Sequence, residues 1–490
     1  MINNLLEAAE FVFTLNVLLA LAIGIIVGYF VGALPGLSSS MGMALLIPFT
    51  FGMDPIPAIV MLVAIYMASD YGGVIPAILV NAPGEPSSAV SAMDGFAMSQ
   101  AGEAGKALTL SIMASGSGAL ISTIFLIATA SVMADYALAF GPSEFFALSV
   151  VGLALISILG AGTPLKSLIG LLLGLCVVTI GLDPIGGTDR YVFTMYLIDG
   201  VPFVAALIGL FAISEVFVMI EEAHGPRPKI VKLNVASGAI STILPHWFVV
   251  LRSTILGYMV GLIPGAGASI ASLVSYAVAR KSSRTPEAFG TGSEEGLVAS
   301  EAANNAARSG AMAPLLSLGV PASASAAVLV GGMTIQGLQP GPLLFTNNPE
   351  IPYAIFVSLL VSLPIMVLIG LFSAPFWVRV TSVPRAAIAT VVVSICMLGA
   401  YSAANDTFEM IVAAIFGIVG YILRKCGIHP APIVLALVLG ELMETSLRRA
   451  MIISNDNFLQ VISHPIAAGL LVVAVVVLIS PLIKRRSRPA

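Results

Sequence analysis

The chain has 490 residues, 58% of them hydrophobic and only 9% charged, with a formal net charge of −4. Soluble domains carry about 25% charged residues, so this composition excludes a water-soluble globular surface. The charge balance offers no basic field for nucleic acid, and Cys176, Cys396 and Cys426 form no CxxC pair that points to metal or redox chemistry.

A membrane crossing takes about 20 mostly apolar residues. The first run, Phe11 to Ala33, follows Glu7 and Glu10 rather than a basic segment and outruns a signal-peptide core, so it reads as a retained helix. Further runs lie at Ala107–Met133, Phe145–Leu165, Val201–Val218, Ser253–Ile263 (extended upstream), Ile351–Val378, Ala386–Ala403, Phe408–Ile422 and Ala467–Ile483. Shorter ones lie at Leu168–Ile180 and Ile433–Leu442. Together they predict an all-α polytopic membrane protein with ten to twelve transmembrane helices.

Between these runs the chain stays apolar but is punctuated. Leu34–Phe51, Gly72–Met98, Ile263–Tyr276 and Gly310–Phe345 place Pro, Gly, Ser and Asn at membrane depth. Irregular backbone in lipid leaves N–H and C=O groups unpaired, at several kcal/mol each, unless protein or a watery cavity surrounds it. Broken helices or re-entrant hairpins are therefore expected there.

Basic residues favour the cytoplasmic side. That side is assigned to the tail with Lys484, Arg485, Arg486 and Arg488, and to the loops with Arg227, Lys229, Lys232 and with Arg280, Lys281, Arg284. The N-terminus, without Lys or Arg, is placed outside. Arg448 and Arg449 do not fit this pattern.

The chain repeats itself. Gly32-Ala-Leu-Pro35-Gly36-Leu-Ser38-Ser39-Ser40 resembles Gly261-Leu-Ile-Pro264-Gly265-Ala-Gly-Ala-Ser269, and Gly72-x3-Pro76-x6-Pro83 has the spacing of Gly310-x3-Pro314-x6-Pro321. The second match holds a constant offset of 238 (310 − 72, 314 − 76, 321 − 83), and Gln100 to Gly105 echoes Gln336 to Gly341. Three matches in one order predict two repeat-related halves, residues 1–220 and 236–490, joined by a basic cytoplasmic linker at 221–235. Opposite placement of the two termini suits inverted halves. Interrupted segments at corresponding places of two halves point to a transporter's binding site.

The candidate site follows from those breaks. Pro35 and Gly36 stop a helix, and Ser38, Ser39 and Ser40 cap the next, whose free N–H groups and positive dipole end suit an anion. Gly265 with Ser269 and Ser272 does likewise in the second half. Asn81, Pro83, Gly84, Ser87 and Ser88, with Pro321, Ser323 and Ser325, add an amide, hydroxyls and further N–H groups. These neutral donors suit a multiply charged carboxylate, since no fixed cation must be desolvated on release; tight helix packing is the alternative. Asn304 and Asn305 bind a carboxylate through NH₂ or a cation through C=O, unless they bond neighbouring helices. Among the acids Asp70, Glu85, Asp94 and Glu301, the ion-coupling candidates are Asp70, Asp94 and Glu301, because an ionisable group at membrane depth is a functional candidate by default. Asp94-Gly95 equally suits an interfacial turn. Asp183, Asp189 and Arg190 read as solvated loop charge, and Asp406 with Glu409 as a polar connector. His224, His246, His429 and His464 show no metal-ligand spacing, and no GxSxG or Walker sequence is present.

At these residues the chain resembles the large permease subunit of the tripartite tricarboxylate transporter family. The resemblance is carried by Gly32-Ala-Leu-Pro-Gly-Leu, Tyr71-Gly-Gly, Leu79-Val-Asn-Ala-Pro-Gly, Met93-Asp94-Gly95 and Gln100-Ala-Gly-Glu-Ala-Gly-Lys-Ala-Leu108. In the second half Gly261-Leu-Ile-Pro-Gly-Ala-Gly, Glu301-Ala-Ala-Asn304-Asn305-Ala-Ala and Gly310-Ala-Met-Ala-Pro-Leu-Leu-Ser-Leu-Gly-Val-Pro321 carry it. It implies a bacterial inner-membrane permease, not an enzyme, that takes up di- or tricarboxylates by secondary symport with Na⁺ or H⁺ and needs no cofactor. It also implies two partners, a small membrane subunit and a periplasmic solute-binding protein that delivers the carboxylate. Ala322 stands where the family pattern often has Gly. A channel-like or scaffolding subunit energised by a partner is the alternative, and an intramembrane enzyme is a weaker one.

Overall fold

The computed structural model describes residues 2–34, 36–159, 163–221, 239–380 and 383–486. The chain opens with α1 (Ile2–Val12) and α2 (Leu15–Ala33), a kinked pair over the first expected crossing. After a break come α3 (Ser39–Leu46), extended by a 3-10 turn over Ile47–Thr50, and α4 (Pro55–Val80). A second break leads to α5 (Ser88–Gln100), α6 (Ala104–Ala137), α7 (Pro142–Leu159) and α8 (Pro164–Val178). A short antiparallel hairpin then pairs Gly181 with Arg190 and Leu182 with Asp189. α9 (Phe203–Leu207), a π segment (Ile208–Ile213) and α10 (Ser214–Glu221) follow.

The chain resumes with α11 (Ala239–Ile243) and α12 (Trp247–Gly261), which supply the upstream extension expected for Ser253–Ile263. A third break precedes α13 (Gly267–Ser282) and α14 (Glu294–Leu318); a fourth precedes α15 (Ala324–Ile335) and α16 (Pro342–Asn347). Then come α17 (Glu350–Val380), α18 (Arg385–Ala404), α19 (Thr407–Lys425), α20 (Pro430–Ile453), α21 (Phe458–Ser463) and α22 (Pro465–Arg486). Among the described residues nine helices are long and apolar enough to cross a membrane, and α3, α7, α8, α15 and α22 are shorter apolar helices. This is an all-α, multi-pass membrane protein.

The breaks are narrower than the sequence implied. α4 runs through Gly72–Val80 and α14 through Gly310–Leu318, with Pro76 and Pro314 inside them. The glycines there are contact points rather than stops. A Cβ on Gly72 would fall 2.5 Å from the Tyr29 carbonyl oxygen, and one on Gly310 would fall 2.7 Å from that of Tyr258. From the facing helices, a Cβ on Gly32 would meet Ser69 O at 1.9 Å and one on Gly261 would meet Ala307 O at 2.4 Å. Small residues let membrane helices approach closely where apolar burial gives no drive. The same Gly and Pro that mimic a break in sequence therefore mark the tightest helix pairs, α2 with α4 and α12 with α14.

α4 and α14 form the centre and are buried along nearly their whole length. The surrounding packing is reciprocal. α6 lies on α14 and α12, while α17 lies on α4 and α2; α11 touches α6, while α1 touches α17. α5 meets α13 and α14, and α15 meets α3 and α4. Around this core stand α7, α8, α20 and α22, and the α9–π–α10 segment with α18 and α19. The short helices α3 and α15 bridge the two regions: α3 packs on α4 and the π segment, α15 on α4 and α20.

Loop charges behave differently from expectation. Asp183, Asp189 and Arg190 belong to the 181–190 hairpin, where Asp183 and Arg190 are ion-paired rather than freely solvated. Asp183 accepts from the N–H groups of Gly186 (2.7 Å) and Ile185 (3.0 Å) and pairs with Arg448 at 2.7 Å. Those two N–H groups, and then Arg448, hold its carboxyl below the usual range. Arg190 pairs with Glu444, which also takes Arg448 at 3.1 Å. Arg448, which the loop-charge pattern left unexplained, is thus neutralised by the hairpin it pins to α20. Asp406 caps α19 by accepting from Phe408 N at 3.0 Å. The basic residues Arg227, Lys229, Lys232 and Arg488, together with His224 and all of the 221–235 linker except Glu221, lie outside the described residues.

Candidate functional site

The break after α2 bends at Gly36, whose φ of +93° lies in the left-handed region that glycine enters without steric cost. Pro35 lies outside the described residues. Ser38 then caps α3, its hydroxyl accepting weakly from Met41 N at 3.4 Å and standing 2.8 Å from the Ser40 hydroxyl. The break after α4 begins at Asn81 (φ 53°), and the one after α14 at Gly319 (φ 72°). Both are left-handed C-caps, and 319 − 81 repeats the offset of 238 found in the sequence. Gly84 is then pressed into the core: its N–H donates to Gly73 O at 3.2 Å, and a Cβ there would fall 2.0 Å from Gly32 O.

Ser323 caps α15, accepting from Ala326 N at 3.2 Å. In the remaining break, Gly265 (φ 81°) donates its N–H to Ala322 O at 2.9 Å, a bond that fixes the tip where Ala replaces the family's Gly. Pro321 and Ala322 are both buried. Ser269 and Ser272 differ from expectation. α13 has no side-chain cap, Ser269 is exposed in its first turns, and Ser272 donates to Ser300 O at 3.0 Å.

The four breaks meet. Ser39 and Ser325 touch hydroxyl to hydroxyl at 2.7 Å, joining the first break to the fourth. The N–H of Ser39 donates to Glu85 of the second break. Gly265 of the third is bonded to Ala322 of the fourth. The exposed or half-buried residues at this junction include Gly36, Ser38, Asn81, Gly265, Ser323 and Ser325. A cavity of about 320 Å³ lined by Asn16, Asp54 and Glu350, among others, shares no residue with it.

Beneath the junction lies a buried ion cluster that the neutral-donor picture did not contain. Arg308 of α14 donates from Nη2 to Asp70 Oδ1 at 3.1 Å and stands 3.5 Å from Glu85 Oε1. Its Nη1 donates to the Tyr66 carbonyl, and its guanidinium lies 5.1 Å from the Tyr66 ring centre. Asp70 also accepts from Ser87 at 3.2 Å. Arg308 was missed because it sits among alanines with no acid near it in sequence but Glu301, which is not its partner. The available signal was the spacing, since Asp70 and Arg308 are 238 residues apart, the offset between the matched sequence elements.

Glu301, two turns before Arg308 on α14, accepts from Ser91 and from Ser115 (2.7 Å). Asn305 donates weakly to the Glu301 carbonyl at 3.4 Å. Neither side-chain atom of buried Asn304 has a hydrogen-bond partner, nor do Ser88 Oγ and Asp70 Oδ2. Asp94 stands apart on α5. Its Oδ1 gathers the N–H groups of Gly290 (2.7 Å), Gly292 (3.0 Å) and Ser293 (2.8 Å) and so ties α5 to the loop before α14. His246 faces Glu294, His429 accepts from Ala431 N as the cap of α20, and His464 faces Glu144. Among the described residues no three His, Cys, Asp or Glu side chains are grouped to hold a metal.

This geometry brings half-helix tips, hydroxyls and one guanidinium together among apolar helices, and donors of these kinds suit the binding of an oxyanion. Comparison with known proteins agrees in class. A protein of Agrobacterium vitis described as an uncharacterized 52.8 kDa protein in the TAR-I ttuC′ 3′ region is 36% identical over 471 residues, 95% of this chain and 93% of that one. A second from the same organism, described as an uncharacterized protein in the TAR-II ttuC′ 3′ region, is 37% identical over 227 residues, 46% of this chain and 94% of that one. No solved structure matches. The model of the tripartite tricarboxylate transporter TctA family matches residues 18–435, breaks and ion cluster included, and the chain belongs to that family.

Proposed function

We propose that this chain is a secondary permease for di- and tricarboxylate anions in a bacterial inner membrane, with its N-terminus periplasmic and its C-terminus cytoplasmic. A periplasmic solute-binding protein delivers the anion, a small membrane subunit completes the transporter, and a Na⁺ or H⁺ gradient drives uptake. The observation that carries the reading is the convergence of all four breaks over Arg308. Anion binding at such tips rests on N–H groups that no helix satisfies. The reciprocal packing about α4 and α14, and the pairing of Asp70 with Arg308 at the repeat offset, support two inverted halves meeting at a local two-fold axis.

The substrate groups in this reading are Gly36, Ser38, Ser39, Ser40, Asn81, Gly84, Ser87, Ser88, Gly265, Ser323 and Ser325, with Asn304 and Asn305 deeper. Asp70 and Glu301 are the ion-coupling groups; Asp94, tied to a loop, serves the fold. Uptake of labelled citrate or succinate into proteoliposomes holding the chain and both partners tests it. Accumulation driven by a Na⁺ or pH gradient is expected. Uptake insensitive to every gradient would refute secondary transport.

A further inference from the structure

The predicted anion seat at the tip of α3 is already filled, by the chain's own carboxylate. Glu85 Oε1 accepts the N–H of Ser39, at the start of the eight-residue α3, and the same oxygen stands 3.5 Å from Arg308 Nη2. A second observation marks this place as a ligand position rather than a bare helix end. Arg308 is only 4% exposed, its Nη2 is shared between two carboxylates, and its Nε has no partner. We propose that Glu85 is a tethered occupant of the seat for a substrate carboxylate, and that substrate binds by displacing it. The proposal rests on the carboxylate-transport reading.

The two carboxylates of the cluster are held differently. Asp70 is in mid-helix, fully buried, and fixed by both Ser87 and Arg308. Glu85 comes from the break between α4 and α5. Its backbone is held through Gly84, and its side chain packs against Gly73, where an added Cβ would come within 3.2 Å of Glu85 Cγ, so the missing side chain at Gly73 is what leaves it room. Ser38, Ser323 and Ser325, all half-buried, lie on the more open side of the same junction, and Ser325 touches Ser39 directly. An incoming carboxylate meets these hydroxyls first and then competes for the Ser39 N–H and for Arg308. The seat cannot hold both anions, because one guanidinium already balances Asp70, and a second like charge within about 4 Å is strongly unfavourable inside protein. Glu85 thereby sets the affinity: it weakens binding enough for release and keeps the guanidinium paired between cycles. An arriving anion must offer a planar carboxylate able to take one N–H and one guanidinium edge together.

The test is equilibrium binding of radiolabelled citrate, with succinate as a second probe, to the complete transporter in nanodiscs at fixed pH and salt. Glu85→Gln keeps the size and an acceptor for Ser39 N–H but removes the competing charge. It is expected to bind citrate about tenfold more tightly than the unaltered chain while cycling more slowly. Should the Gln variant fail to stay monodisperse, Glu85→Asp is read in its place; the shorter side chain pulls back from Ser39 and is also expected to tighten binding. Binding by the variant where the unaltered chain shows none would support the proposal. Unchanged or weaker binding in the variant, with normal binding by the unaltered chain, would overturn it and leave the transport reading standing. No binding of either probe by any form would overturn both.

Discussion

Arg308 is the most exacting place to test the site. It gives hydrogen bonds to the Tyr66 carbonyl and Asp70, and it stands within salt-bridge distance of Glu85. Arg308→Met keeps the volume and removes the only cation paired with those two carboxylates among the described residues. Breaking a buried pair by removing one partner costs about 3–5 kcal/mol, because the remaining charge stays buried. Asp70→Asn leaves Arg308 with Glu85 and costs less. In the double variant Asp70→Asn/Arg308→Met much of the damage is already done, so the two effects do not add. We expect a coupling energy of at least about 2 kcal/mol, against about 0–1 for exposed ion pairs. Equilibrium unfolding in mixed micelles, followed by far-ultraviolet circular dichroism, measures it. Strict additivity, with coupling under about 0.5 kcal/mol, would mean that the cluster is open to water and that the argument from burial is wrong.

Other expectations follow from the same geometry. In the proposed arrangement of two inverted halves, Asp70 and Arg308, 238 residues apart, take matching places, so the exchange Asp70→Arg with Arg308→Asp should recover monodisperse protein that either single reversal loses; failure to exceed the singles would count against a local two-fold axis. Gly84→Ala drives a Cβ to 2.0 Å from the Gly32 carbonyl and should destabilise by about 1–3 kcal/mol or more, seen as loss of the size-exclusion peak, whereas Ala322→Gly at the matching place in the second half should be well tolerated. Asn81 is left-handed at φ 53°, so Asn81→Gly should keep stability while Asn81→Ala costs about 1–2 kcal/mol; transport retained in the Gly variant would show that position 81 acts through its backbone, and transport lost in both would assign the amide to the substrate. Asp183 has its folded pKa held below the ordinary carboxylate value of about 3.9 by N–H groups and Arg448. Its contribution is therefore present above that pH and lost as pH falls through the folded value. Hydrogen exchange at residues 181–200 should speed up below about pH 4, and Asp183→Asn should abolish that pH dependence.

Composition and order of residues were enough to read a great deal. With 9% charged residues there is no alternative to a lipid-embedded surface. The matched proline-bearing elements located all four breaks, because only a few residue types can turn a chain where unpaired backbone is costly. Ser38 was legible as a helix cap for the same local reason and caps α3, whereas Ser323, read only as a ligand hydroxyl, proves to cap α15. The extent of each break was not legible. Gly72–Val80 and Gly310–Leu318 carry the letters of irregular chain but remain helical, because their glycines admit a neighbouring helix, a relation between segments that neither segment encodes alone.

Charge pairing lay further from view. Asp94 read equally as an ion ligand or a turn, and its carboxylate instead gathers three N–H groups from a loop some two hundred residues on. Arg308 passed as one charge among alanines until α14 was laid against α4 and its guanidinium met Asp70 and Glu85. Local rules of backbone and burial act over a few residues, so the sequence by itself settles the membrane class, the family and the neighbourhoods of the four breaks, though not their extent. Electrostatics inside a membrane protein is decided by which side chains share a low-dielectric space, and only the packing of distant helices determines that.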